Sequence, residues 1–170
     1  MQLAGSESPS LDCRVLLAHC LGCTQTYLMT WPEKEVDQQR IATFKSLVEQ
    51  RKSGHPIAHL TGRKAFWTLD LAVNPSTLIP RPETELLVET ALSLPLPTDA
   101  KVLDLGTGTG AIALSLASEN PKWQVVGADK QTDAVELAIQ NGKDAGIQNA
   151  AFLQSDWFAK LGSENFDLIV

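Results

Sequence analysis

A glycine-rich turn between a strand and a helix is the segment of this chain whose residue types could do chemistry. Residues 104–110 read Asp-Leu-Gly-Thr-Gly-Thr-Gly, after the strand-like run Lys-Val-Leu at 101–103 and before the helix-like run 111–117. Glycine lets the chain turn sharply and lets a ligand approach backbone that carries no Cβ. The amides that open the next helix favour a negatively charged or hydrogen-bond-accepting group. The segment therefore predicts a site for an adenosine-bearing cofactor.

The glycine spacing fits two classes of cofactor. Gly106, Gly108 and Ala111 satisfy the dinucleotide pattern G-x-G-x-x-G/A. Asp104, Gly106, Gly108 and Gly110 satisfy D-x-G-x-G-x-G, which resembles the pattern of S-adenosylmethionine-dependent methyltransferases. An acid before the glycines suits a ligand ammonium better than a diphosphate, because like charges would otherwise lie close together. The loop alone leaves both NAD and S-adenosylmethionine open.

Polar side chains also follow the next two predicted strands. Asp129 ends strand 123–128, where a carboxylate can accept hydrogen bonds from both ribose hydroxyls of either cofactor. Asp156 and Trp157 follow strand 150–154. The Asp156 carboxylate can accept a hydrogen bond from the adenine amino group, and the Trp157 indole offers a flat apolar face. A tryptophan placed here is, however, more often part of the core. We expect these side chains beside the glycine turn, because ligands of open parallel sheets lie at the carboxyl ends of strands.

The second half of the chain has the alternating pattern that would position these residues. The predicted elements are helix 84–94, strand 101–105, helix 110–119, strand 123–128, helix 132–144, strand 150–154 and strand 166–170. This βαβα order predicts a parallel sheet joined by right-handed crossovers.

The first part of the chain is predicted to be helical. One helix is expected over residues 8–22 and a second over 32–54, each begun near a proline and ended by a glycine. Residues 67–73 then alternate between apolar and polar types, which predicts a half-buried strand. We assign residues 57–60 as its hairpin partner and residues 61–64 as the turn.

The composition is typical of a soluble globular protein: of 170 residues, 44% are hydrophobic and 20% charged. The net charge of −6 and the pI of about 5.0 disfavour a duplex nucleic acid as partner. No apolar run is long enough for a spanning helix, and residues 1–7 lack the features of a secretory signal. The odd count of 3 cysteines fits a reducing cytoplasm. The lone C-x-x-C at Cys20 and Cys23 lacks further zinc ligands at standard spacing, so no metal site is assigned.

Five sequence segments together resemble one enzyme family. They are His-Pro-Ile-Ala-His-Leu-Thr-Gly at 55–62, Phe-Trp at 66–67, Thr-Leu-Ile-Pro-Arg-Pro-Glu-Thr-Glu at 77–85, the glycine turn at 104–110 and Gln-Ser-Asp-Trp-Phe at 154–158. These segments resemble the peptide chain release factor glutamine N5-methyltransferases (the HemK family), over nearly the whole chain. The proline-containing run is the most specific of them.

The resemblance implies an α/β fold in three parts. These are a helical N-terminal domain over residues 1–54 that helps to hold the protein substrate, a β-hairpin linker over 55–78, and the N-terminal half of a Rossmann-like class I S-adenosylmethionine methyltransferase domain over 79–170. S-adenosyl-L-methionine is the implied cofactor. Its implied contacts are Gly106, Thr107, Gly108, Thr109, Gly110, Asp129 and Trp157, to which we add Asp156.

The implied activity is N5-methylation of a glutamine in peptide chain release factors. The resemblance implies a cytoplasmic monomer with no direct nucleic-acid or membrane partner. The family places Asn-Pro-Pro-Tyr, which binds the glutamine amide, just after its fourth strand, and this motif does not occur before Val170. We therefore expect an incomplete chain, truncated after its fourth strand, that carries the cofactor half of the site and is inactive alone.

Several assignments stay open at this point. An NAD-dependent oxidoreductase and a non-catalytic nucleoside-binding fragment are the alternative functions. No catalytic residue is assigned within the chain. Arg81 and Glu83 are interpreted as an ion pair or helix cap, and Phe66 and Trp67 as core of the hairpin.

Overall fold

The computed structural model describes residues 8–170, and its contacts divide the chain into two compact units, with the division between Gly62 and Arg63. The segment 1–7, on which the expectation of no secretory signal rests, lies outside the described residues. Within the described part, no helix is both long and apolar enough to cross a bilayer.

The first unit is built from four helices around a small apolar core. They are α1 (Pro9–Leu21), α2 (Gln25–Thr30), α3 (Gln38–Lys52) and α4 (Ile57–Thr61). Leu16 of α1 and Val48 of α3 are buried at its centre. Arg51 of α3 is also buried, and its Nε lies 2.8 Å from Asp12 Oδ2 of α1. This ion pair and the apolar contacts hold the two longer helices together.

Side-chain caps decide where these helices begin, and they correct the helix predicted from residue 32. Residues 31–37 are not helical, and α3 begins after Asp37, whose Oδ1 accepts the Arg40 amide at 2.9 Å. The short helix α2 was missed, and it begins after Thr24, whose Oγ1 accepts the Tyr27 amide at 3.1 Å. Both caps satisfy a helix amide that would otherwise lack a partner, so they outweigh the proline signal.

The β-hairpin is formed by β1 (Arg63–Phe66) and β2 (Leu69–Ala72), which pair antiparallel. The prediction that residues 57–60 form its first strand is wrong, since they lie in α4. Pro56 occupies the position before α4 in extended conformation, and Gly62 ends that helix with a φ of 70°. A proline before the first turn and a left-handed glycine after the last one are helix signals, and they shift the hairpin along the chain.

The second unit contains a four-stranded parallel sheet in the order β5-β4-β3-β6. Its strands are β3 (Lys101–Leu105), β4 (Gln124–Asp129), β5 (Ala150–Gln154) and β6 (Leu168–Ile169), and its helices are α5 (Glu85–Ser93), α6 (Ala111–Glu119) and α7 (Thr132–Asp144). A 3₁₀ turn over Pro82–Thr84 precedes α5. The predicted α/β fold and the parallel sheet are confirmed, and β6 is shorter than expected.

Alternate residues of the central strands face two different apolar clusters. Val102 and Val125 are buried in the larger cluster, which also takes in Phe66 of the hairpin as the sequence predicted. Leu103 and Ala128 belong to a second cluster with Leu161. Because β3, β4 and β5 are parallel and pair directly with one another, their carboxyl ends meet at one edge of the sheet, where the expected site residues lie.

Gly127 of β4 leaves room for an aromatic ring beneath the glycine turn. A Cβ built on it would lie 2.5 Å from Phe152 Cδ1 and 2.7 Å from Thr107 Oγ1. We expect Gly127→Ala to lower the free energy of unfolding by about 1–3 kcal/mol through overpacking. Urea unfolding measures the loss, and adding Phe152→Leu should recover part of it. An unchanged midpoint in the single variant would contradict this packing.

Candidate functional site

The glycine turn runs from the end of β3 to the start of α6 and is bonded to β4. Gly106, Gly108 and Gly110 have φ values of 78°, 55° and 80°, and Gly110 directly precedes α6. The amides of Gly106 and Thr107 donate to the Ala128 carbonyl at 2.8 and 3.0 Å. The left-handed φ values favour glycine, and the two bonds fix the turn against the neighbouring strand.

Asp104 lies behind the turn rather than on its open side. Its side chain is 2% exposed, and Oδ2 accepts Thr107 Oγ1 at 2.7 Å and the Ala113 amide at 3.2 Å. Burial and, to a smaller extent, the charge of Asp129 raise the pKa of this carboxyl to about 6, against the lowering effect of the two hydrogen bonds. Asp104 therefore organises the loop, and the expectation that it meets a ligand ammonium is wrong.

Three backbone amides at the start of α6 are available to a ligand. Within residues 8–170, the amides of Thr109, Ala111 and Ile112 have no hydrogen-bond acceptor. All three residues line one cavity. Free amides at a helix N-terminus attract carboxylates, phosphates and other acceptor groups, so this end of the turn can hold an anionic group.

Asp129 stands at the end of β4, as the sequence predicted, and its carboxylate braces the turn. Oδ2 accepts the Gly108 amide at 3.0 Å, and Oδ1 accepts the Gln131 amide at 2.9 Å. Each carboxylate oxygen has two lone pairs, so both oxygens keep capacity for a further donor such as a ribose hydroxyl.

The turn after β5 presents Trp157 outward. The indole is 70% exposed, so the core position that is more usual for such a tryptophan does not apply. Trp157 has a φ of 53°, which is uncommon outside glycine. Buried Ser155 secures the turn: its Oγ donates to the Trp157 carbonyl at 2.7 Å and accepts the Lys160 amide at 3.0 Å. Asp156 pairs with Lys130 at 3.0 Å on the surface.

Two cavities lie along this edge of the sheet and share residues. The first, of about 330 Å³, is lined by the glycine turn, Asp129 and residues 76–81. The second, of about 210 Å³, is lined by Gly106 and Asp129 together with Asp156 and Trp157. Because Gly106 and Asp129 line both cavities, the two form one groove across the ends of β3, β4 and β5. The structure thus brings seven of the eight predicted site residues to this groove, while Gly110 lines neither cavity and packs against Leu114, Ala138 and Phe152.

The segment 76–81, which we call the wall segment, was not predicted as part of the site. Asn74, two residues before this segment, leads into it through a tight turn in which the Asn74 Oδ1 accepts a hydrogen bond from the Ser76 amide at 2.9 Å. The interpretation of Arg81 and Glu83 as an ion pair or helix cap is wrong. Neither residue forms an ion pair in the described part of the chain, and the Arg81 side chain makes no capping hydrogen bond to the 3₁₀ turn that follows it. Arg81 lines the first cavity instead. The only signal of this role in the sequence is that the proline-containing run 77–85 is the most family-specific of the five segments.

The sequence matches two family models and a set of curated proteins. The model described as PrmC N-terminal domain matches residues 1–62, and one described as Methyltransferase domain matches residues 97–170. The chain is 53% identical to a release factor glutamine methyltransferase of Shewanella oneidensis, over 98% of this chain and 58% of that protein. It is 46% identical to the Escherichia coli K12 protein of the same name, over 99% of this chain and 61% of that protein. The chain therefore spans about three fifths of the length of these relatives.

Solved structures share the fold of the second unit at low sequence identity. A tRNA (uracil-54, C5)-methyltransferase of Pyrococcus abyssi, in complex with S-adenosyl-L-homocysteine, aligns with a TM-score of 0.53 and 22% identity over 63% of this chain and 26% of its own. A precorrin-6y C5,15-methyltransferase of Geobacter metallireducens aligns with a TM-score of 0.51 and 16% identity over 58% of this chain and 52% of its own. Together with the methyltransferase-domain model that matches residues 97–170, these alignments show that the chain has the class I methyltransferase fold.

Proposed function

The chain belongs by sequence to the release factor glutamine methyltransferase family, and from this premise we propose that it binds S-adenosyl-L-methionine as methyl donor for a glutamine side chain in peptide chain release factors. The observation that carries the proposal is the groove, in which a glycine turn, Asp129 and Trp157 stand at the ends of three adjacent parallel strands. Ligands of open parallel sheets bind at this edge.

The residues of the groove fit the proposed cofactor in chemistry and order. Trp157 offers a flat face to the adenine, and Asp156 can accept its amino group. Asp129 keeps acceptor capacity for the ribose hydroxyls at the junction of the two cavities. The turn 106–110 and the free amides after it would hold the amino-acid end of the ligand in the first cavity.

The protein's contribution to the reaction is placement. When bound, S-adenosylmethionine would supply a methyl group activated by its sulfonium; transfer to the glutamine amide nitrogen would leave the electrons of the S–C bond on sulfur and release a proton from the nitrogen. An amide nitrogen is a poor nucleophile because its lone pair is delocalised into the carbonyl. The groove therefore has to hold donor and acceptor in line and exclude water. We assign no catalytic residue and no metal ligand within residues 1–170.

The partner and the setting follow from the same proposal. We propose that release factors are the protein substrate of the whole protein, that the helical N-terminal domain helps to hold them, and that the reaction takes place in the cytoplasm by a monomer. The activity is tested by incubating the whole protein with a release factor and labelled S-adenosylmethionine, then locating the added methyl group by peptide mass spectrometry. Label on any residue other than glutamine would refute the substrate assignment.

The cofactor is tested directly on the 170-residue chain by calorimetric titration. We expect S-adenosylhomocysteine to bind and NAD not to bind, because the proteins that this chain resembles over nearly its whole length are named as methyltransferases. Binding of NAD without binding of S-adenosylhomocysteine would refute the methyltransferase assignment.

Asp129→Ala should weaken S-adenosylhomocysteine binding roughly 10- to 100-fold, since the ligand loses charge-assisted hydrogen bonds and Gly108 loses its acceptor. The matched control is Asp133→Ala, which removes an acid from the first turn of α7 outside the two cavities of the groove. Equal affinities for the Asp129 variant and the wild type would show that this carboxylate does not contact the ligand.

A further inference from the structure

The first unit contains a surface cavity that is distinct from its apolar core. The cavity, of about 610 Å³, is lined by residues of α1, α2 and the segment 31–36, and by Arg40 of α3. We call it the helical cleft. Among the described residues, the helical cleft and the core around Leu16 and Val48 share no member, so α1 presents a second apolar side to the cleft. The aliphatic residues that line the helical cleft are Leu17, Leu21, Leu28 and Val36.

Three large side chains that line the helical cleft are exposed. Tyr27 is 37% exposed, Trp31 is 49% exposed and Met29 is 60% exposed. Tyrosine, tryptophan and methionine are enriched in protein interfaces, and the first two most often dominate the binding energy. Because all three side chains line one cavity, they form a single patch, and a patch of this kind marks an interaction site where scattered exposed residues do not.

Hydrogen bonds hold this patch in place without a partner. The Trp31 amide donates to the Tyr27 carbonyl at 3.0 Å at the end of α2, and the Lys34 amide donates to the Trp31 carbonyl at 3.3 Å. The Lys34 Nζ donates to the Tyr27 hydroxyl at 2.7 Å and lies 6.0 Å from the centroid of the Trp31 ring. A partner therefore has to order little of this surface, which lowers the entropic cost of binding.

The helical cleft is positively charged on a chain that is negatively charged as a whole. Three cations and one acid line it, whereas the net charge of the chain is −6. Neither Arg14 nor Lys34 forms an ion pair in the described part of the chain, and the third cation, Arg40, pairs with Asp37. The Lys34 ammonium has three donors and uses one of them within the chain, so it can bind a further acceptor. The acid is Glu35.

From this arrangement we propose that the helical cleft binds an acidic segment of the protein partner. One apolar side chain of that segment enters the cavity, and its carboxylates meet Arg14 and Lys34. This inference rests on the proposed function, in which the partner is a release factor, and adds to it the docking surface and the chemistry of the segment that docks. Single-stranded nucleic acids also bind to aromatic rings and cations. The aliphatic lining fits an apolar side chain instead, and the negative charge of the chain repels phosphates.

The test measures KM and kcat of the whole protein for an intact release factor. We expect Trp31→Ala to raise KM roughly 10- to 100-fold, the effect of removing an aromatic anchor from the centre of an interface. Lys34→Glu should raise KM roughly 3- to 10-fold at low salt, and this effect should shrink at high salt because it is electrostatic. Both residues lie outside the two cavities at the sheet edge, so neither variant should change kcat or the affinity for S-adenosylhomocysteine.

Two matched variants control for nonspecific effects. Leu11→Ala truncates an exposed apolar side chain and Lys45→Glu reverses an exposed charge, both in the first unit and outside the helical cleft, so both should keep the wild-type KM. Trp31 and Lys34 are themselves exposed, so their variants should keep the wild-type melting temperature.

The possible outcomes separate this inference from the proposed function. Wild-type KM values in both Trp31→Ala and Lys34→Glu, or a fall in kcat alone, would overturn the helical cleft as the docking surface and leave the cofactor and the reaction standing. Tighter binding of a single-stranded RNA oligonucleotide than of the release factor would also overturn it. A wild-type protein that does not methylate the release factor would overturn the proposed function and this inference together.

Discussion

Asn141→Ala is expected to lower the free energy of unfolding by about 3 kcal/mol, because one buried amide joins three parts of the second unit. Asn141 lies on α7 and is 2% exposed. Its Oδ1 accepts the Ala72 amide of β2 at 2.7 Å, and its Nδ2 donates to the Ala72 carbonyl at 3.1 Å and to the Thr109 carbonyl at 2.9 Å. Alanine would leave these backbone groups without partners.

Urea unfolding followed by circular dichroism measures this effect. Gln140→Ala is the matched control, since its neighbouring side chain is exposed and bonds only to Asp144 on the same helix. That variant should stay within about 0.5 kcal/mol of the wild type. Asn141→Ala should also weaken S-adenosylhomocysteine binding, because Thr109 belongs to the glycine turn. A loss no larger than that of the control would mean that the hairpin and the turn are held by other contacts.

The α/β part of the fold follows closely from local sequence signals. Strand 101–105, helix 132–144 and strand 150–154 have the bounds that the pattern predicts. The first of these segments is buried and the second is strongly amphipathic, and glycines separate all three, so periodicity and turn chemistry agree. Where two local signals favour the same structure, tertiary contacts do not override them, and the sequence alone predicts the element.

The N-terminal helices and the hairpin register are predicted less accurately from the sequence, because local signals compete there. Pro32 is a plausible first residue of a helix, yet Asp37 caps α3 further along the chain. Trp67 continues the apolar alternation of a strand, yet it occupies the turn with a φ of 55°. That position is held by distant acids, since Glu85 accepts the Trp67 amide at 2.9 Å and Glu119 accepts its indole at 2.7 Å.

The site, too, is predictable from the sequence where it depends on neighbouring residues and not where it depends on residues far along the chain. The glycine turn and Asp129 are predictable because each follows directly from a motif at a strand end. The contribution of the wall segment is not, because it depends on how a loop after the hairpin folds against residues far along the chain. Asp104 shows the limit of a motif: its charge suggested a ligand contact, and only its burial and its bond to Thr107 reveal a structural role.

Protonation of Asp104 should make the stability of the chain depend on pH in a direction unusual for a carboxyl group. Burial raises its native pKa to about 6 from the model-compound value of 3.8. Between these two values the native state binds more protons than the unfolded state, so this residue's contribution to stability falls as the pH rises through that window. Above pH 6 the loss is complete and amounts to about 3 kcal/mol, and below pH 3.8 it is absent.

The contribution is isolated by comparing Asp104→Asn with the wild type at each pH, because all other titrating groups cancel in the difference. Asparagine stays neutral and keeps one acceptor for Thr107, so its stability relative to the wild type should rise by about 3 kcal/mol between pH 4 and pH 7. Asp99→Asn, which removes an exposed carboxyl, is the control. Asp129→Asn should lower the upper end of this pH range, because the charge of Asp129 raises the native pKa of Asp104. A difference between Asp104→Asn and the wild type that stays constant with pH would show that Asp104 is charged in the native state across this range. Its two hydrogen bonds would then outweigh its burial, and the turn would be held by a carboxylate throughout this pH range.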